Sequence, residues 1–408
     1  MSSAKLIKSR ILERVTQPAA IVMTQLGRDL KAEGHDIISL SIGEPDFDTP
    51  QHVKDSAYQE MLKGGISYSP VSGIPELKNA IRDKFLRENQ IEYQIDEVMV
   101  SAGGKLVLAN ALYATLNDGD EVIIPAPYWI AYHQCVTLYG GVPVEVPTSQ
   151  MTGFKLTPMM LESAITNKTK WLVINSPGNP SGAVYSRDEL TALAEVLVKH
   201  PHVWVLSDDM YEHLTYCDSS FVTLAQVAPH LKDRILTLNG VSKAYAMTGW
   251  RVGYAGGPKE LIAAMELVQS QTAIGTSKVC QWAAVAALTG PQDSLDSNLV
   301  EYRARRQLVV EGLNEIPGLT CLWPDGAFYA YPSCEAFIGG KTSAGQEITN
   351  DEEFCMALLR EQGVTTVHGA AFGLSPYFRV SYAASKQSLR TALQRIAAFC
   401  NSIILPQS

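Results

Sequence analysis

The chain has 408 residues, enough on ordinary domain sizes for two or three domains with a large buried core. Hydrophobic residues at 46% and charged residues at 18% match an ordinary soluble protein, and no repeat or low-complexity segment interrupts them. The net charge of −9 argues against a nucleic-acid binder, which would show a basic face, yet leaves room for a small anion held by a few placed arginines.

In chain order, the opening MSSAKLIKSRILERV is basic but lacks the apolar core and cleavage site of a secretory leader, so a cytoplasmic location is expected. Thr49-Pro50 reads as an N-cap followed by Pro at the first helical position. From Pro75, the residues Leu77, Ile81 and Phe85 recur at helical spacing. Apolar runs follow at 97–100, 121–125, 171–175, 204–207 and 235–239, most of them separated by helical stretches. Continuous rather than alternating runs fit strands covered on both faces. Residues 49–290 are therefore expected to form a large α/β domain on a mostly parallel sheet.

Beyond about residue 290 the texture changes. Residues 293–316 read as one long charged helix, followed by strand-like runs near 319–322 and 328–331. The Gly/Ser/Thr-rich stretch 339–351 reads as a mobile surface loop. A helix, strands near 364–368 and 377–381, and a last helix from Ser385 complete a smaller α+β domain over 291–408, against which residues 1–48 are expected to pack. The cysteines, at 135, 217, 280, 321, 334, 355 and 400, form no C-x-x-C pair and read as reduced core thiols. No stretch approaches the roughly 18 unbroken apolar residues of a membrane span. No metal site and no membrane partner are expected.

Five motifs fall where strands end, the edge at which open α/β sheets bind ligands. Ser101-Ala-Gly-Gly-Lys105 opens an apolar helix over 106–116. Gly103 and Gly104 permit close backbone approach, and the helix N-terminus suits an anion such as phosphate, although a plain strand–helix turn has the same pattern. Asn175-Ser-Pro-Gly-Asn-Pro-Ser-Gly182 sets turn-forming residues directly after a buried strand, as a rigid site loop or an ordinary one would. In Ser207-Asp-Asp-Met-Tyr211, a carboxylate ending a buried strand needs a cation or several donors. A protonated pyridine nitrogen is such a cation, and a helix-capping aspartate is the plainer alternative. In Gly240-Val-Ser-Lys-Ala-Tyr-Ala-Met-Thr-Gly-Trp-Arg251, Lys243 is placed for the depressed pKa of Schiff-base chemistry, with Ser242 and Arg251 as donors to one anion. Alone, Lys243 reads as an ordinary surface lysine. Phe378-Arg379-Val-Ser-Tyr382 centres an arginine in an apolar strand, which requires a paired acid or an anionic ligand.

In this order, with Ser41-Ile-Gly-Glu-Pro-Asp-Phe47 ahead of them, these motifs resemble the class I aminotransferases, also called the aspartate aminotransferase family, and its bacterial branch in particular. The resemblance covers nearly the whole chain. It implies a fold-type I architecture: a large α/β domain with a mostly parallel seven-stranded sheet, and a smaller α+β domain. It implies pyridoxal 5'-phosphate as cofactor. The implied reaction moves an amino group from an L-amino acid, aspartate first, to a 2-oxo acid, 2-oxoglutarate first, in two ping-pong half-reactions.

Residue by residue, the resemblance implies that Lys243 carries the cofactor and shuttles the Cα proton, and that Asp208 keeps the pyridine nitrogen protonated. Tyr211 and Asn179 would bond the ring's phenolic oxygen, and Trp129, in Pro127-Tyr-Trp-Ile, would stack on the ring. Gly103, Gly104, Lys105, Ser242 and Arg251 would hold the phosphate. Gly43 would lie in the covering loop. Arg379, helped by Asn179, would clamp the substrate α-carboxylate, and the Lys105 side chain would meet the distal one. Tyr68, in Tyr68-Ser-Pro-Val-Ser-Gly73, would reach the phosphate of a neighbouring subunit, which implies a homodimer with sites at the interface.

Departures from the family pattern bear on the substrate. No arginine lies between Arg251 and Arg303, where some branches keep one for the distal carboxylate. The Pro-Ser-x-Thr loop of many bacterial members aligns with Pro18-Ala-Ala-Ile21, so Ala19 and Ile21 replace two hydroxyls. The pocket is expected to be less polar and to favour an apolar or aromatic side chain. Gly178 stands where Ser or Asn is usual. Aromatic, prephenate or other non-acidic donor preference therefore stays open, as does a carbon–sulfur lyase. A non-catalytic binding domain of the same fold is disfavoured by the acidic charge and by the short stretch ahead of Ser41.

Overall fold

The computed structural model describes residues 9–217 and 220–405; the first eight residues of the opening stretch lie outside it. Strand β1 (Ile38–Ser39) stands apart from the main sheet. That sheet is built from β2 (Val98–Ser101), β3 (Glu121–Ala126), β4 (Val142–Pro147), β5 (Thr169–Asn175), β6 (Trp204–Asp208), β7 (Ile235–Gly240) and β8 (Gly253–Gly256). The order is β2-β8-β7-β6-β5-β3-β4, and only β8 runs antiparallel to its neighbours. This is the mostly parallel seven-stranded sheet of the expected α/β fold.

The continuous apolar runs form its centre because both faces are covered. Along β5, Leu172 and Ile174 join one core while Trp171 and Val173 join the other. Alternate side chains point to opposite faces, so a strand buried on both sides must be apolar at every position.

Two strands escape the apolar-run pattern. β4 is a partly exposed edge strand reading VPVEVP, with prolines that only an edge tolerates. β8 reads Gly-Tyr-Ala-Gly, and its glycines are demanded by neighbours. A Cβ on Gly253 would collide with the Gly103–Gly104 backbone, and one on Gly256 with the Tyr93 ring.

Helix α1 (Ala19–Ala32) precedes β1, and α2 (Gln51–Lys63) and α3 (Pro75–Asn89) follow it. Leu77, Ile81 and Phe85 of α3 are buried as their spacing requires. Thr49 does not cap α2. Pro50 is the residue before its first turn, while the Thr49 hydroxyl donates to Ala246 O at 2.8 Å and accepts from Trp250 Nε1 at 3.0 Å. Thr49 thus ties the entry of α2 to the loop after Lys243.

The last third of the chain contributes β9 (Tyr329–Ala330), β10 (Val364–Thr365), β11 (Val367–His368) and β12 (Phe378–Ser381). Strands β11-β12-β9 form an antiparallel sheet, and β10 pairs in parallel with β1. Their core includes Val309, Phe328, Phe354, Phe378 and Phe399, and it takes in Met23 and Leu40 from the start of the chain. Residues ahead of α1 reach elsewhere: the Thr16 N–H donates to Gln134 Oε1 at 3.1 Å.

The long helix is present as Asp293–Asn314, and the last as Lys386–Ser402 with the Ser385 side chain capping it. Residues 319–322 form no strand. Thr320 makes one isolated bridge to Ser333, and the Asn314 side chain satisfies the backbone of Cys321 instead. The Gly-rich stretch expected to be mobile is pinned in its middle, where Lys341 bridges to Glu347 and Ile404 and Ile348 is buried. No helix among the described residues is long and apolar enough to cross a membrane.

Candidate active site

A cavity of about 330 Å³ opens at the C-terminal ends of β5, β6 and β7, walled on its far side by β9 and β12. Asp208 ends β6. Its carboxylate accepts from the Tyr132 hydroxyl at 2.6 Å and from the Met210 N–H at 3.1 Å. Burial pushes its pKa up to about 6 against those bonds and the charge of Lys243. Among the described residues no cation forms a salt bridge with it. Asn175, ending β5, donates to Asp208 O at 2.9 Å and accepts from the Asn179 N–H at 2.9 Å, which fixes the loop that follows.

Lys243 comes three residues after β7 and faces the same space. Its Nζ donates to Gly43 O at 2.5 Å. Desolvation lowers its pKa to about 8, with Arg379 and Arg251 acting in the same direction and Glu44 and Asp208 opposing. A lysine so placed is a nucleophile and a base near neutral pH.

The anion cradle lies where α4 (Gly104–Thr115) begins. Gly103 precedes it at φ +94°, a conformation that side chains rarely adopt, and a Cβ there would collide with the Arg251 guanidinium. Arg251 itself takes the left-handed conformation at φ 56° and anchors one nitrogen on Thr248 O at 2.8 Å. The start of α4 with its free N–H groups, Ser242 and Arg251 thus line the same cavity, a donor set that suits a phosphate.

Arg379 lies buried in β12. One terminal nitrogen donates to Asn179 Oδ1 at 3.0 Å and the other to Ser41 O at 2.6 Å, while its Nε is buried without a partner. The rings of Tyr329 and Phe372 lie 4.6 and 5.1 Å from its Cζ. No carboxylate pairs with it among the described residues, so an internal salt bridge does not account for its burial, and its unpartnered Nε leaves it able to take an anion.

The cavity brings together Gly43, Gly104, Lys105, Trp129, Asn179, Asp208, Tyr211, Ser242, Lys243, Arg251 and Arg379, with Gly103 at its edge. The Lys105 ammonium lies 5.3 Å from the Trp129 ring centre. Tyr68 is not in the cavity; it is 90% exposed. In the Pro18–Ile21 run only Ala20 lines the space, while Ile21 is 57% exposed, so the expected substitutions at Ala19 and Ile21 miss the wall by one residue.

Three lining residues have weak or absent sequence signals. Glu44 follows Gly43 inside a quoted motif. Tyr132 is three residues beyond Trp129, on the next helix turn. Tyr329 carries no signal except an apolar run; its hydroxyl meets that of Tyr211 at 2.9 Å.

A family model described as aminotransferase class I and II matches residues 35–396. An aspartate/prephenate aminotransferase from Cereibacter sphaeroides is 55% identical over 392 residues, covering 96% of this chain and 98% of that protein. The crystal structure of an aspartate aminotransferase from Rhizobium meliloti superposes with a TM-score of 0.95 at 49% identity, over 98% of this chain and 100% of the other. An aspartate aminotransferase from Thermus thermophilus, solved with maleate, gives a TM-score of 0.89 at 40% identity, over 97% and 100% of the two chains.

Proposed function

The chain belongs to the class I and II aminotransferases, and from that premise we propose that it transfers the amino group of aspartate to 2-oxoglutarate with pyridoxal 5'-phosphate held at Lys243. The observation that carries this reading is one cavity containing a lysine of depressed pKa, a buried carboxylate, an anion cradle and a buried arginine with no acid partner among the described residues.

The residues fit that cofactor. Asp208 offers a buried acceptor suited to a cationic ring nitrogen. Trp129 offers a ring face, and Tyr211 and Asn179 offer donors for a phenolic oxygen. Gly104, Lys105, Ser242 and Arg251 supply the phosphate's donors. When bound, the cofactor supplies an electron sink for the charge left by loss of the Cα proton.

This chain's residues do the rest. Arg379 and Asn179 bind the substrate α-carboxylate and fix which Cα bond is presented. Lys243 takes the Cα proton and returns it; an amine near its working pH does both efficiently. Gly43 and Glu44 cover the site and limit water.

The distal end of the cavity offers Lys105 to an acidic side chain, while Ala20 adds an apolar surface. That methyl supports a second reading in which prephenate, itself a 2-oxo acid, serves as amino acceptor; the Cereibacter relative is named an aspartate/prephenate aminotransferase. We also propose a homodimer in which Tyr68 enters the partner's site; Tyr68 is exposed, as are the large apolar residues Ile66 and Leu62 shortly before it in the chain, which a second copy would cover. The seven unpaired cysteines support a cytoplasmic setting.

A donor panel tests the assignment: aspartate, glutamate, phenylalanine, tyrosine, alanine and arginine, each with 2-oxoglutarate, pyruvate and prephenate. Aspartate leading is the expected result. Aromatic donors leading would overturn it. Pyruvate and ammonia formed without any acceptor would mark a lyase.

A further inference from the structure

Tyr329 meets Tyr211, Arg379 and the Gly43 backbone. We infer that Tyr329 is a positioning residue with two separable functions: its hydroxyl donates to Tyr211 and so turns the Tyr211 proton toward the cavity, while its ring backs the Arg379 guanidinium. The inference rests on the cofactor reading above.

The placement follows from the sheet. β9 pairs with β12 so that Tyr329 lies opposite Ser381, which puts Arg379, two residues earlier, on the same face and on its diagonal. The Tyr329 ring lies 4.6 Å from Arg379 Cζ. Its hydroxyl lies 2.9 Å from the Tyr211 hydroxyl. A Cβ on Gly43 would overlap that hydroxyl, and Gly43 O is the acceptor for Lys243 Nζ. Tyr329 is only 1% exposed, so water does not compete for these contacts.

Two facing phenols share one hydrogen bond, and only one of them donates. Burial raises the pKa of both, so both keep their protons at neutral pH. Arg379 favours ionisation of both phenols, but its guanidinium lies against the Tyr329 ring, 4.6 Å from its centre, which makes the Tyr329 hydroxyl the stronger donor. Tyr211 then accepts from Tyr329, and its own proton is left to point at an acceptor in the cavity. The other charged groups facing this pair are Asp208 from β6 and Glu44 beside Gly43, with Lys243 lining the same cavity.

The test uses the full-length protein reconstituted with pyridoxal 5'-phosphate. Thermal unfolding of Tyr329→Phe and Tyr329→Leu is measured first. The readouts are then the pH midpoint of the visible absorbance of the lysine-linked cofactor and the KM for several donors. Loss of the hydroxyl weakens donation to the cofactor's phenolic oxygen, so Tyr329→Phe is expected to raise the midpoint by about 0.5–1 pH unit, the worth of one net hydrogen bond. Its KM values should stay within about threefold of the parent, because the ring still backs Arg379. Tyr329→Leu should show a similar midpoint and, in addition, KM raised roughly tenfold for every donor.

An unchanged or lowered midpoint in Tyr329→Phe overturns the hydroxyl's role. Equal KM values in the two variants overturn the ring's role. Should neither variant fold, Gly43→Ala, whose added methyl displaces the Tyr329 hydroxyl, must raise the midpoint or the inference fails. A parent protein with no titrating visible band refutes the cofactor reading itself, and this inference with it, before any variant is compared.

Discussion

Replacing Arg379 by lysine would keep the positive charge and remove the fork. In the structure the two terminal nitrogens already hold Asn179 Oδ1 and Ser41 O, and the faces are stacked by Tyr329 and Phe372. A lysine ammonium has three donors on a flexible stem and cannot keep both anchors while presenting two parallel N–H groups to a carboxylate. The substrate therefore loses at least one charge-assisted hydrogen bond, worth about 1.5–3 kcal/mol. That corresponds to a fall in kcat/KM of roughly 10- to 150-fold. Because the α-carboxylate is common to all donors, the loss should be nearly equal for aspartate, glutamate and phenylalanine. The assay is steady-state kinetics with each donor against a fixed acceptor. A loss confined to the acidic donors would refute the assignment and move Arg379 to the distal carboxylate; an unchanged kcat/KM would refute any substrate contact.

Three further outcomes follow from the site. Gly103→Ala should weaken cofactor affinity at least about tenfold in a fluorescence titration, since the methyl collides with Arg251 and the backbone is held at φ +94°; unaltered affinity would dissociate the cradle from phosphate binding. Ala20→Thr should raise the aspartate-to-phenylalanine ratio of kcat/KM several-fold, about 1 kcal/mol for one new hydroxyl contact; a lowered ratio would show that Ala20 does not face the distal group. Asp208 has its folded pKa raised from 3.8 to about 6, so between these values the folded state holds more protons and stability falls as pH rises. In cofactor-free protein, Asp208→Asn should remove that fall, worth about 3 kcal/mol across the window, as measured by urea unfolding from pH 4 to 7. A pH dependence identical to that of the parent would contradict it.

Sequence patterning reached most of this because the chemistry sits on buried strand ends. Arg379 and Asp208 stood out as charges set against apolar runs, whereas Lys243, an ordinary surface lysine when read alone, stood out only in the company of the other motifs. β8 was not visible because its glycines answer to the Gly103–Gly104 backbone and to Tyr93, which are neighbours in space and distant in sequence. β4 was hidden by the prolines that an edge strand tolerates. Tyr132 and Tyr329 escaped for a related reason. Each reads as an apolar core residue, and only the fold reveals that its hydroxyl meets Asp208 or Tyr211. The Ala20 correction shows the limit of motif alignment in a loop: one residue of register decides which methyl faces the cavity and which faces solvent.

The central claim is that Lys243 bears the cofactor of an aminotransferase. It is tested most directly by adding pyridoxal 5'-phosphate, reducing with borohydride and mapping the modified lysine by peptide mass spectrometry. One stoichiometric pyridoxyl adduct on Lys243 is expected, lost when the amino donor is supplied before reduction. An adduct on Lys105 or on scattered surface lysines, with Lys243 unmodified, would contradict it.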